Sequence, residues 1–308
     1  MVHYANLLAG LRQRGISQGV GRIQKARPTF WSHSCFLIML SERILVVVTL
    51  LPIGLAFIFW GGYPFMGLVA LFVALASWEY VKLFRAGAYD PAADVLVGGA
   101  TVLMLAHVGG AYTSPVVVAL LFLGATRFLV AFERGESQAA INYAITIHGI
   151  IYFGLLGAYL VRLRALPGGT WWLLLVLPTV WIADSAAYFV GRRLGRHALS
   201  PRLSPKKTWE GYFGGILGGI LGGAVLAATY GTWTTLQPDI HLWHGVVLGG
   251  VLSILTPLGD LTESMFKRQF GVKDSSHLLP GHGGVWDRID SWLWAAPLGY
   301  YLITLLFV

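Results

Sequence analysis

The chain has one cysteine, Cys35, in 308 residues. A lone thiol excludes an intramolecular disulfide and any cysteine-based metal site. Charge is also scarce: Asp, Glu, Lys and Arg make up 12% of the chain, against 56% hydrophobic residues. A soluble domain carries roughly a quarter charged residues, and a globule this poor in charge could not cover its own surface. Lipid is the solvent that makes the composition reasonable. The basic start, residues 1–30, has no apolar core of signal-peptide length and no clear cleavage site. Residues 1–42 therefore read as a basic N-terminal arm lying on the membrane interface. The net charge of +8 is spread between long apolar runs. That pattern suits anionic headgroups or phosphorylated ligands and argues against a nucleic-acid partner.

A spanning helix needs roughly 20 mostly apolar residues, and at least about 17. The stretches 44–60, 62–81, 95–112, 115–132, 142–161, 170–190, 212–230, 243–262 and 289–308 qualify. The expected fold is thus an all-α polytopic membrane protein of about nine transmembrane helices. Trp60, Trp171, Trp172, Trp292 and Trp294 fall near predicted ends, where amphipathic rings prefer the headgroup level. With the N-terminus cytoplasmic and the C-terminus outside, all 22 Lys and Arg residues except Arg162 and Arg164 lie on the inner side, as the positive-inside rule requires. Residues 43–165 then form an N-terminal group of spans and 166–308 a second group. The seventh stretch carries Gly214-Gly215, Gly218-Gly219 and Gly222-Gly223, a small-residue stripe that lets helix backbones approach closely in lipid.

Two inner loops, 184–211 and 257–291, differ from the rest. They hold Asp184, Glu210, Asp260, Glu263, Asp274, Asp287 and Asp290, half of the 14 acidic residues. Ionisable groups at a membrane edge are expensive, so such clustering favours function. Asp287 and Asp290 are three apart and share a helix face; Asp260 follows the kink expected at Pro257. Converging carboxylates repel unless a cation sits between them, and an oxygen-only set suits Mg²⁺. The competing reading is salt bridging to Arg288, Lys267 or Arg268. Lys206, Lys207, Lys267, Arg268, Lys273 and Arg288 would face the same pocket, the mixture of acid and base that phosphate chemistry uses. The run Pro280-Gly281-His282-Gly283-Gly284 can present backbone amides to phosphate, although such runs are more often only tight turns. Mid-span His148 reads as a neutral ring bonded to a nearby carbonyl or hydroxyl.

The second loop resembles the signature of the phosphatidate cytidylyltransferases (CDP-diglyceride synthases). It reads Ser264, Lys267-Arg268, Lys273-Asp274, Pro280, His282-Gly283-Gly284, Asp287-Arg288 and Asp290. The first loop is similar to the family's upstream block, with Asp184-Ser185, Ala187-Tyr188, Gly191, Gly195 and Ser204–Gly211. The likeness runs from about Trp171 to the C-terminus; the first 140 residues agree only in being helical spans. Ser276 and Trp286 stand where the pattern has a glycine and a smaller apolar residue. The resemblance implies a nucleotidyltransferase that makes CDP-diacylglycerol from CTP and phosphatidic acid for phospholipid biosynthesis. It implies a homodimer in the cytoplasmic membrane, its site facing the cytoplasm, that uses Mg²⁺ and a monovalent cation such as K⁺. Asp260, Asp287 and Asp290 would bind the metal, with Asp287, Asp260, Lys267 and Arg288 in the catalytic set. Ser204, Lys206, Lys207, Arg268, Lys273, His282, Gly283 and Gly284 would bind substrate phosphates, with Asp184, Asp274 and Glu210 in support. The alternatives are a related CTP-dependent lipid enzyme, such as a polyprenol kinase or CDP-archaeol synthase, and a secondary transporter. A transporter would place charges at the bilayer midplane in duplicated broken helices, whereas these gather at one edge.

Overall fold

The computed structural model describes residues 48–233, 240–276, 278 and 283–307. The basic arm, Cys35 and the first residues of the stretch 44–60 lie outside the described residues, as do Pro280 and His282. The chain is an all-α polytopic membrane protein. Among the described residues, six helices are long and apolar enough to cross a bilayer.

In chain order the helices are α1 (Val48–Trp60), α2 (Gly62–Ala86), α3 (Ala93–Gly109), α4 (Thr113–Glu133) and α5 (Ala139–Ala165). Then come α6 (Gly169–Leu194), α7 (Trp209–Trp233), α8 (Leu242–Leu255), α9 (Pro257–Gln269) and α10 (Trp286–Leu302). The crossing set is α2, α4, α5, α6, α7 and the α8–α9 unit; α1 and α3 are shorter apolar helices. α5 contains a π-helical turn at Ile150–Leu155, and α10 runs on into another at Ile303–Phe307.

Two departures from the expected outline matter for the site. Residues 184–194 are the last turns of α6, and 257–269 are helix α9, so each polar loop is shorter than its charge suggests. What remains of the first loop is an antiparallel hairpin, β1 (Ala198–Ser200) and β2 (Ser204–Thr208). The α8–α9 break falls at Thr256, and Pro257 occupies the first position of α9. Proline fits there because its missing N–H would be unpaired anyway.

The glycine pairs of α7 pack against two neighbours. Gly214, Gly218 and Gly222 lie on Val190, Ala186 and Ile182 of α6. Gly219 and Gly223 lie on Ser253, Gly249 and Gly245 of α8. A side chain at any of these positions would push helices apart that now pack backbone to backbone. Trp172 is enclosed, at 1% exposure, and packs on His244 and Phe307. It serves the core, unlike Trp60, which is 74% exposed. Arg164 closes the end of α1, donating to the carbonyls of Ile58 (2.6 Å) and Phe59 (3.3 Å). Those carbonyls have no partner within their own helix.

Candidate active site

Helix α9 carries Asp260, Glu263 and Lys267 at spacings of three and four, so they line one face. It approaches α10 closely at Gly259, where a Cβ would fall 2.9 Å from the Asp290 carbonyl and 2.6 Å from the Trp294 ring. Lys267 Nζ donates to Asp287 Oδ1 at 2.6 Å and lies 3.1 Å from Glu263 Oε1. Asp287 Oδ2 accepts from the Ser275 amide (2.9 Å), the Ser275 hydroxyl (2.9 Å) and the Gly284 amide (2.8 Å). Asp290 is buried and lies near enough to Asp260 for the two charges to repel. Acids of α9 and α10 therefore meet at one place.

The hairpin reaches the same place from the other side. Side chains alternate along a strand, so Lys206 is exposed while Lys207 turns inward and pairs with Asp260 Oδ2. Arg268 Nε donates to the Leu203 carbonyl at 3.3 Å, which ties the hairpin to α9. Gly191, Gly195 and Gly211 surround Thr208, and a Cβ on Gly211 would fall 2.7 Å from the Ala187 carbonyl. These glycines let β2 sit against the end of α6. Glu210 binds the preceding turn, accepting from the Arg196 amide (3.1 Å), the His197 amide (3.3 Å) and His197 Nδ1 (2.6 Å). Asp184, on α6, is within electrostatic range of Lys207 and Asp260.

One important residue falls outside both loops. Glu79, in the last third of α2, is completely enclosed. Its Oε1 accepts from the Ser276 hydroxyl (2.6 Å) and the Val285 amide (2.9 Å). Its Oε2 accepts from the Ser275 hydroxyl (3.0 Å) and the Trp286 amide (2.8 Å). The first 140 residues thus contribute more than spans. The available signal was a lone carboxylate inside the apolar stretch 62–81, which marks a partnered group in a membrane helix. The two departures from the family signature also have a structural account. Ser276 bonds Glu79, and Trp286 fills a pocket formed by Tyr80, Phe153 and Phe266.

Other residues are more peripheral. Lys273, Asp274 and Arg288 are exposed. Gly283 has φ of +79°, a conformation that favours glycine. The Gly284 amide, a candidate phosphate donor, is directed at Asp287. His282 lies outside the described residues. His148 Nδ1 is 2.9 Å from the Tyr80 hydroxyl, the type of partner its position calls for.

The donors at this junction are oxygens, and Glu263 Oε1 is buried without a hydrogen bond although Lys267 is close by. That set fits a hard divalent cation, which takes one or two carboxylates and completes its shell with water and phosphate. Among the described residues, no three acidic or histidine side chains form a ready-made cage.

Carboxylates and lysines gathered at the ends of membrane helices are the groups that phosphate-ester chemistry uses. The chain is a member of the cytidylyltransferase family, whose model matches residues 41–306. It is 34% identical to a phosphatidate cytidylyltransferase of Synechocystis over 300 residues, covering 87% of this chain and 98% of the relative. It is 36% identical to that of Pseudomonas aeruginosa over 268 residues, covering 84% and 95%. Identity to the Bacillus subtilis phosphatidate cytidylyltransferase is 41% over 157 residues, covering 50% and 56%.

Proposed function

We propose that this chain transfers the cytidylyl group of CTP to phosphatidic acid, giving CDP-diacylglycerol and pyrophosphate for phospholipid biosynthesis. The observation that carries the reading is the meeting of Asp260, Glu263, Asp287 and Asp290 with Lys207 and Lys267 where α9, α10 and the hairpin join. The near full-length relatives bearing that activity's name support it.

In the reaction, a phosphatidate oxygen forms a bond to the α-phosphorus of CTP while the bond from that phosphorus to the bridging oxygen breaks. Pyrophosphate departs with the electron pair. The attacking monoester has a second pKa of about 6 and is already largely dianionic near neutrality. It needs no strong base, and none of the serine–histidine kind is called for. Rate then comes from placement and charge neutralisation. Lys207, a third exposed, is the cation best placed to leave Asp260 for an incoming phosphate. Lys267, held between Glu263 and Asp287, keeps the carboxylates from repelling one another. Arg268 and Lys273 extend the positive surface toward solvent, with Lys206 and Arg288. Mg²⁺ held by Asp260 and Asp287, with Asp290 beside them, would neutralise the nucleotide's phosphates, and K⁺ is the monovalent candidate.

We read α1, α3 and α10 as crossing as well, which gives nine spans with the N-terminus cytoplasmic and the C-terminus outside. The junction then faces the cytoplasm, from which CTP arrives, and the lipid's acyl chains stay in the bilayer. The family resemblance further supports a homodimer in the cytoplasmic membrane.

The test is conversion by purified protein in mixed micelles. Label from CTP should appear in CDP-diacylglycerol when phosphatidate is supplied and Mg²⁺ is present, with K⁺ as a further arm. Label transfer from the γ-phosphate of CTP to a polyprenol, with no CDP-diacylglycerol, would contradict the reading.

A further inference from the structure

The signature loop has a second anchor, contributed by a helix nearly 200 residues away in sequence. Glu79 faces four donors: the hydroxyls of Ser275 and Ser276 at the start of the loop, the first sharing its one proton with Asp287, and the amides of Val285 and Trp286 at the start of α10. Each of its oxygens faces two of them, and the side chain is fully enclosed. The amides it receives are among the unpaired N–H groups of a helix N-terminus, where a carboxylate is favoured by both hydrogen bonding and the helix dipole. Gly284 is part of the same arrangement, because a Cβ there would fall 2.5 Å from Glu79 Oε2. Ser275 connects the two carboxylates directly: its hydroxyl lies 3.0 Å from Glu79 Oε2 and 2.9 Å from Asp287 Oδ2.

We infer that Glu79 is a positioning residue for the cytidylyl transfer. It clamps both ends of the loop, so that Asp287 is presented to Lys267 and the reacting phosphates in one orientation. This rests on the reading that Asp287 belongs to the reaction machinery. Partners that orient a ligating or catalytic group typically contribute about 10- to 100-fold in activity or metal affinity when removed.

The test compares Glu79→Gln, Ser276→Ala and Asp287→Asn in the full-length protein. Glu79→Gln keeps the volume but turns one acceptor oxygen into an NH₂ group that faces two donors. Its kcat should fall about tenfold or more, with the KM for phosphatidate unchanged. Hydrogen–deuterium exchange should also speed up in peptides covering 283–288, while peptides of α6 and α7 stay as in wild type. A merely structural role would lower the yield of folded protein without this split between kcat and KM. Wild-type kcat and exchange in Glu79→Gln, with Asp287→Asn inactive, would overturn the inference and leave the reading of Asp287 standing. Full turnover in Asp287→Asn would instead remove the reading itself. If Glu79→Gln does not fold, Ser276→Ala decides, since it removes one donor from a half-buried loop position. Severalfold slower turnover with faster exchange at 283–288 supports the clamp, and wild-type behaviour overturns it.

Discussion

The α9–α10 junction and the hairpin that leans on it both carry a lysine–aspartate pair, but in different surroundings. At the junction, Lys267 and Asp287 are about 10% and 7% exposed, and Asp287 has three further donors. At the hairpin, Lys207 and Asp260 are each about a third exposed. A buried pair that loses one partner leaves an uncompensated charge, whereas a pair more open to solvent is screened and contributes less. The junction is built to hold a carboxylate still. On the proposed reaction, the hairpin's lysine is the one that exchanges its carboxylate for an incoming phosphate.

Asp287→Asn is the strongest way to break this comparison. It keeps the shape but removes a charge that four donors converge on, and we expect CDP-diacylglycerol synthesis to fall by at least about 100-fold while membrane insertion persists. Radiolabel transfer from CTP measures the first, and yield from the membrane fraction the second. Lys267→Met should come next. It leaves Glu263 and Asp287 facing each other, and removing one partner of a buried pair costs about 3–5 kcal/mol. A thermal melt in detergent should show that loss together with weak activity. Lys207→Ala should lower the melt less than Lys267→Met, because its pair with Asp260 is more exposed to solvent. Its effect should appear as a severalfold higher KM for CTP or phosphatidate in steady-state kinetics. Glu210→Gln should have the smallest effect. It weakens only the tie between the hairpin's approach and α7, so kcat should change by about twofold or less and proteolysis within 194–204 should quicken.

Much of the architecture was legible because hydropathy and glycine spacing are local signals. The apolar stretches became helices, the break fell at Pro257, and the glycine pairs of α7 packed as small-residue stripes do. The contiguous signature also sets Lys267 and Asp287 within one short segment, and the two pair across it. The hairpin was not legible, since Ala198–Ser200 and Ser204–Thr208 are short, polar and interrupted by proline and arginine. α9 was hidden by its charge, although Asp260, Glu263 and Lys267 already had helical spacing. Glu79 was hidden by distance: nothing in α2 indicates that its partners are the amides of Val285 and Trp286. Trp172 sits near a helix end, but its neighbours His244 and Phe307 turn it inward, and end position alone does not distinguish a core ring from an interfacial one.

The central claim is that carboxylates of α9 and α10 together hold a divalent ion against the nucleotide's phosphates. Crystals grown with Mn²⁺ and a non-hydrolysable CTP analogue test it directly through the anomalous signal of manganese. The account predicts a peak within coordination distance of both Asp260 and Asp287 and of the analogue's phosphates. A peak bound to phosphates with neither carboxylate in its shell, or one lying elsewhere in the bundle, would contradict it.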